Sequence, residues 1–283
     1  MDYDAFLRAA CPALDLQWRK YRRRSARRRV QARIAELGLT GFEAYLERLA
    51  SDPEEARRFP DRARVTVSRF FRERDRWEAL FARVVPQLVA ARGEEGPFRV
   101  WSAGCCNGEE PYTFAILWAE RIAPAHPRMA LEVIATDIDP EVLARARAGR
   151  YPEGALREVP VDLRRRWFSR RGREWAIHPR VARPVAFRVH HLLDDPPPRA
   201  DLALCRYLAF TYYRGARRQA AARRLWEALP PGGALVIGRK EGLGPAEERW
   251  FEPWPGAPGV FRRRARPVTG RDEATSEAGA RST

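Results

Sequence analysis

Apolar positions at the start of the chain recur at helical intervals: Phe6, Leu7, Leu14, Leu16 and Trp18, then Val30, Ile34 and Leu37, then Phe42, Tyr45, Leu46 and Leu49. This spacing predicts an all-helical unit over 1–60, with Gly38 and Gly41 punctuating its later helices. A segment from Arg62 to Arg76 then leads into a further helix from Trp77 to Ala91, closed by Gly93 and Gly96. Beyond it the period changes. Short apolar runs at Phe98 to Trp101, Leu131 to Asp137, Ala186 to His190, Asp201 to Cys205 and Ala234 to Gly238 read as strands. Helical patterns at about Pro111 to Ile122, Val142 to Arg147 and Gly215 to Leu229 lie between them. Strands alternating with helices predict an α/β domain with a mostly parallel, doubly wound sheet, placed at 61–266. The alternation lapses after Tyr151, so a small inserted subdomain is expected at 151–187. The tail, 267–283, is rich in Gly, Glu, Ala, Ser and Thr without apolar periodicity, and disorder is expected there.

Composition removes several classes. The chain has 283 residues, 45% of them hydrophobic, which suffices for a sizeable core. No run approaches the roughly 20 consecutive apolar residues of a membrane span, so membrane insertion is not expected. The acidic start, Met1-Asp2-Tyr3-Asp4, lacks the basic-then-apolar order of a signal peptide. Four cysteines and four histidines show no ligand spacing, so neither a disulfide framework nor a metal site is expected. Cys105 and Cys106 read as buried thiols, and Trp101 and Trp118 as core. A cytoplasmic location and a monomer follow as expectations.

Charge changes the picture in one place. Of 53 basic residues only Lys20 and Lys240 are lysines, a skew that partly reflects codon usage, so the net charge of +16 is weak evidence for nucleic acid. The local run is more telling: nine basic residues and no acidic one lie between Arg19 and Arg33. Such a field attracts an acidic partner.

The turn after the first predicted strand is Ala103-Gly104-Cys105-Cys106-Asn107-Gly108, followed by Glu109-Glu110. A strand, a Gly-bearing turn and a helix N-terminus together form a device for nucleotide-like cofactors. Two acids at the helix start suit a cationic or neutral ligand better than a pyrophosphate. Asp137, at the end of the second strand, stands where an acid commonly takes ribose hydroxyls. S-adenosylmethionine, with a ribose diol, no phosphate and a sulfonium, fits these features. A purely structural turn, with both glutamates complementing the helix dipole, fits them too.

Further residues carry a resemblance. Trp101-Ser102-Ala103-Gly104-Cys105-Cys106-Asn107-Gly108-Glu109-Glu110-Pro111-Tyr112-Thr113 is similar to the W-S-A-G-C-S-T-G-E-E-P-Y-S signature of CheR-type methyltransferases. Ser68-Arg69-Phe70-Phe71-Arg72 resembles the family's T-x-F-F-R, and Ala135-Thr136-Asp137-Ile138-Asp139 its A-T-D-I-D. Leu229-Pro230-Pro231-Gly232-Gly233, with Gly238 and Glu241, resembles its L-x-P-G-G…G-x-x-E. The resemblance spans roughly 5–265. It implies a Rossmann-like methyltransferase fold behind an all-α N-terminal domain, and transfer of methyl groups from S-adenosylmethionine to glutamate side chains of chemotaxis receptors, a signal-transduction role.

Residue roles follow from the same resemblance. Glu110 and Asp137 match cofactor-binding positions, as do Gly104 in the turn and, approximately, Thr66. Arg72 matches the active-site arginine and Ser68 a hydroxyl lining the same pocket. His191-Leu192 occupies the family's N-L, beside adenine, and Tyr207-Leu208 follows Arg206 where the family has C-R-N-V. The basic second helix of the family docks the acidic receptor bundle; Arg19, Arg22, Arg23 and Arg27 take that place. The expected partner is an acidic helical protein.

The sequence departs from the family at the fourth strand. Tyr207 replaces an Asn, Thr211 replaces a Tyr unless Tyr212 or Tyr213 takes its place, and His191 replaces the Asn of N-L-L. These departures keep a second reading open, a divergent member acting as a cofactor-sensing or partner-binding module. A third, a nucleic-acid binder or RNA methyltransferase, ranks last because no aromatic platform interleaves the arginines.

Overall fold

The computed structural model describes residues 1–64, 68–93 and 96–268. Thr66 and most of the tail expected to be disordered lie outside the described residues. The chain forms two compact units, Met1–Val67 with Tyr207–Ala220, and Ser68–Arg206 with Ala221–Thr283.

The N-terminal stretch of the first unit forms α1 (Tyr3–Ala13), α2 (Arg24–Glu36), α3 (Phe42–Ser51) and α4 (Pro53–Ala63). Asp2 caps α1 by accepting from Ala5 N at 2.7 Å. Asp52 caps α4 by accepting from Glu54 N and Glu55 N, and Pro53 holds the first helical position, where its missing N–H costs nothing. The apolar positions read from the sequence meet as an aromatic core: the Phe6 ring lies 5.7 Å from Tyr45 and 5.8 Å from Phe59. One buried acid, Glu55, is held inside this unit by Arg33 Nη2 at 2.6 Å and Tyr45 OH at 2.7 Å.

A distant stretch completes this unit. Gln17 N donates to Tyr212 O at 2.8 Å, Arg214 N donates to Asp15 O at 2.7 Å, and Leu16 bridges Tyr213. The Tyr21 and Tyr212 rings lie 5.2 Å apart. The short helix α11 (Ala209–Tyr212) thus packs with the N-terminal helices.

The second unit opens with α5 (Arg74–Ala79), a π turn (Leu80–Val84) and α6 (Val85–Arg92), where the sequence predicts one continuous helix. Pro86 is the reason: it lacks an N–H for the helical ladder, and the π turn widens the helix just before it. There follow β1 (Phe98–Ala103), α7 (Glu109–Arg121), β2 (Leu131–Asp137) and α8 (Pro140–Ala148). Next come β3 (Arg150–Pro152), α9 (Val161–Trp167), β4 (Phe168–Arg171), β5 (Glu174–Ile177), α10 (Pro179–Ala182) and β6 (Val185–Val189). The unit ends with β7 (Leu202–Leu204), α12 (Gly215–Ala228), β8 (Ala234–Val236), α13 (Pro245–Glu248), β9 (Phe251–Pro253) and β10 (Val260–Arg263). The unit boundary falls within α12.

Seven strands form one sheet in the order β6-β2-β1-β7-β8-β10-β9. The first five pair parallel, and β10 pairs antiparallel with β8 on one side and β9 on the other. The mostly parallel α/β sheet expected from the alternation, and the Rossmann-like fold implied by the resemblance, are therefore present, with an antiparallel edge that the sequence did not announce. The β10 stretch reads as an arginine run with Val260 alone fully buried, so its period is invisible. Between α8 and β6 a separate antiparallel sheet, β3-β5-β4, fills the stretch where alternation lapses. Trp101 and Trp118 are buried, as expected. Among the described residues no helix is long and apolar enough to cross a membrane.

Candidate cofactor and active site

The turn between β1 and α7 is built on left-handed backbone. Gly104, Cys106 and Gly108 have φ of 74°, 52° and 88°. Gly104 N and Cys105 N both donate to Thr136 O, at 2.8 and 2.9 Å, which pins the turn to the end of β2. Trp101 Nε1 donates to Thr136 Oγ1 at 2.9 Å, so the buried indole satisfies the buried hydroxyl. A Cβ at Gly108 would lie 3.1 Å from both Ala146 Cβ and Phe187 Cζ, so the close packing at this point requires glycine. Cys105 is buried, and burial pushes its thiol well above the usual range. Cys106, expected to be buried with it, is only half-buried: its left-handed backbone turns it out of the packed layer.

Asp137 ends β2 nearly buried. Its Oδ2 accepts from Cys106 N at 3.1 Å and its Oδ1 from Asp139 N at 3.2 Å. A carboxylate oxygen has two lone pairs, so each retains acceptor capacity for a hydroxyl. The chain after β6 returns to the same place, with His190 N donating to Asp137 O at 3.1 Å.

The first turn of α7 carries two acids in different surroundings. Glu110 Oε1 accepts from Ser102 Oγ at 2.8 Å and Oε2 from Arg206 Nη1 at 3.2 Å. Burial raises the pKa of Glu110, and Arg206 and Ser102 oppose that. Glu109 is buried with Oε2 unpaired, and burial pushes its pKa up to about 7.

Arg206 joins this turn to the F-F-R segment. Its Nη2 donates to Glu73 Oε2 at 2.9 Å and to Arg72 O at 2.8 Å, and its guanidinium lies 5.1 Å from the Trp77 ring centroid. Trp77 Nε1 donates to the same Arg72 carbonyl at 3.1 Å. Arg72 is half-buried, and desolvation lowers its pKa. Arg206, Glu73 and Trp77 escaped the sequence reading. One arginine among so many carries no mark, although the C-R pair ending β7 was the available signal.

The remaining expected residues fall as follows. Ser68 is half-buried at the start of the second unit. His191 N donates to Asp195 Oδ2 at 2.7 Å, its ring Nδ1 lies 2.9 Å from Asp194, and Leu192 is buried. Tyr207, at φ 60°, and Leu208 belong to the stretch grouped with the N-terminal helices. Arg19, Arg22, Arg23 and Arg27 are exposed on the first unit, with Arg22 paired to Asp4 at 2.7 Å.

The donor set agrees with S-adenosylmethionine. Two carboxylates, one neutralised by a guanidinium, stand at the carboxyl end of adjacent parallel strands, where ligands of open α/β sheets bind. Acids suit ribose hydroxyls and an ammonium group; a pyrophosphate would be repelled.

The family model described as "CheR methyltransferase, SAM binding domain" matches residues 66–260, and "CheR methyltransferase, all-alpha domain" matches residues 1–62. A chemotaxis protein methyltransferase of Listeria monocytogenes is 32% identical over 87% of this chain and 92% of its own length. The chemotaxis protein methyltransferase of Escherichia coli is 33% identical over 78% of this chain and 77% of its own. An uncharacterized 104.1 kDa protein of Rhodobacter capsulatus is 33% identical over 79% of this chain, which spans only 23% of that longer protein. The chain belongs to the CheR methyltransferase family and carries its S-adenosylmethionine-binding domain behind its all-α domain.

Proposed function

We propose that this protein methylates glutamate side chains of a chemotaxis-receptor-like signalling protein. The observation that carries the reading is the placement of two anchored acids in a chain of this family, Glu110 in the first turn of α7 and Asp137 at the end of β2. Asp137 would hold the ribose hydroxyls, with Gly104 leaving room for the ligand beside the backbone. Glu110, whose charged form Arg206 and Ser102 favour against burial, would hold the ammonium group of the cofactor. His191 and Leu192 would contribute to the adenine side and Ser68 would line the pocket of Arg72; the family resemblance assigns cofactor roles to Thr66, Tyr207 and Leu208 as well.

Bound S-adenosylmethionine supplies a methyl group activated on a sulfonium. A substrate carboxylate is already a nucleophile, so the protein needs no general base. Its tasks are alignment and partial removal of water from the carboxylate. The Arg72 guanidinium, planar and cationic at any accessible pH, would line the cofactor site and orient that carboxylate. The exposed arginines Arg19, Arg22, Arg23 and Arg27 would draw an acidic helical partner to the first unit.

Calorimetric titration with S-adenosylhomocysteine tests the cofactor site, with Asp137→Ala as the control. Low-micromolar affinity lost in the variant supports it, and absence of binding to folded protein overturns it. Mass spectrometry of a receptor cytoplasmic fragment incubated with enzyme and S-adenosylmethionine tests the substrate. Methylation confined to glutamates is expected; methylation of another residue type refutes the assignment.

A further inference from the structure

Arg72 sits between two strained residues. Phe71 has φ 55° and Glu73 has φ 63° with ψ 59°, so left-handed backbone flanks it on both sides. Side chains with a Cβ rarely adopt that region, and such strain persists only where surrounding contacts over-determine it. Here they do. Phe71 N donates to Thr113 Oγ1 at 3.1 Å, and Thr113 Oγ1 donates onward to Glu109 O at 2.6 Å. The Arg72 carbonyl takes two donors, Arg206 Nη2 and Trp77 Nε1. Glu73 Oε2 accepts from Arg206 Nη2 and also from Arg239 N at 3.2 Å.

The guanidinium of Arg206 is thus shared. One edge serves Glu73 and the Arg72 main chain; the other serves Glu110 at 3.2 Å. Arg206 and Glu73 side chains are 5% and 11% exposed, so water offers little substitute for either partner. Without the Glu73 carboxylate the fork would turn fully to Glu110, for which it has the geometry, and would release the Arg72 carbonyl. Phe71 would keep its bond to Thr113, but the left-handed backbone at Glu73 would lose its restraint, and the Arg72 side chain between them would leave its present direction.

We propose that Glu73 and Arg206 are positioning residues whose ion pair holds Arg72 in its strained backbone and couples its placement to Glu110. The pair acts on cofactor and substrate through Arg72, not by contact of Glu73 with either. This rests on the active-site assignment of Arg72 made above.

The test is a double-mutant cycle on S-adenosylhomocysteine affinity, measured by calorimetry with the full chain: wild type, Glu73→Gln, Arg72→Ala and the double variant. Glu73→Gln should weaken binding about 10-fold in the wild-type background and less than about 3-fold once Arg72 is gone. Arg206→Lys, which keeps the charge but loses the planar fork, should behave like Glu73→Gln. Glu73→Asp, retaining the carboxylate, should recover part of the loss. Thermal unfolding of each variant shows that the protein measured is folded, and Glu73→Asp keeps the cycle available if Glu73→Gln does not fold. Equal effects of Glu73→Gln in both backgrounds overturn the proposal, because a purely structural role is additive. Wild-type affinity in Arg72→Ala overturns it as well, and removes Arg72 from the cofactor site; loss of binding in Asp137→Ala would then still leave the cofactor site itself standing.

Discussion

Cys106 donates its backbone N–H to Asp137 Oδ2 at 3.1 Å, so the turn after β1 and the acid ending β2 are one hydrogen-bonded piece. The same carboxylate accepts from Asp139 N through its other oxygen. Removing it strands two backbone donors as well as a candidate ribose ligand.

Asp137→Ala is therefore expected to lower S-adenosylhomocysteine affinity by about 100-fold and to cost about 1–2 kcal/mol of stability. Asp137→Asn keeps one acceptor oxygen and should cost less in stability than in affinity. Calorimetry and urea unfolding separate the two effects; equal affinity for Asp137→Asn and wild type contradicts the ribose assignment.

Glu109 sets a pH dependence. Its pKa rises from 4.5 to about 7 in the folded protein, chiefly through burial, with Glu110 adding to the rise and Asn107 and Arg145 opposing it. Tyr151 also faces it, its own pKa pushed well up by burial. The folded state binds this proton more tightly than the unfolded chain, so the stability it contributes is present below pH 4.5 and is lost as pH rises through 7. The loss is at most about 3 kcal/mol. Glu109→Gln, neutral throughout, should be more stable than wild type at pH 8 and show a flatter profile from pH 5 to 7. Denaturant melts across that range check it, and parallel profiles for the two proteins disprove it.

Gly108→Ala should destabilise the second unit by about 2–4 kcal/mol, combining the left-handed penalty at φ 88° with crowding against Ala146, Phe187 and Tyr112. Gly154→Ala serves as the control, since a Cβ there meets nothing within 4 Å and its φ lies outside the positive range. Comparable melting temperatures for the two variants would show that the turn relaxes freely.

In the first unit, Glu55→Ala should cost about 3 kcal/mol, because it leaves Arg33 and the Tyr45 hydroxyl without their shared buried partner. Glu36→Ala removes an exposed contact to Arg33 and should cost less than about 0.5 kcal/mol. Denaturant unfolding of the two variants distinguishes them.

Much of the fold was legible in period alone. β2 has the bounds read from the sequence, Leu131–Asp137, because its apolar residues cluster in one short run between polar ends. α12 likewise spans nearly its predicted range. The strands β9 and β10 were not legible: both are short, β9 is Phe-Glu-Pro and β10 ends in arginines, and only the pairing of β10 with β8 and of β9 with β10 makes them strands. The helix expected from Trp77 to Ala91 is present, but with a π turn just before Pro86 that its apolar pattern did not show.

The sequence by itself determined the alternation of elements, the glycines of the β1–α7 turn and the acids Glu110 and Asp137, because period and residue type are local properties of the chain. Only the tertiary structure decided that Arg206 would serve Glu73, Glu110 and the Arg72 carbonyl at once, and that Tyr212 and Tyr213 would join the N-terminal helices. Those choices depend on which distant backbones meet. One arginine among many has no local mark until a buried carboxylate is brought within hydrogen-bond reach, and a tyrosine's partner is set by the surface left open to it.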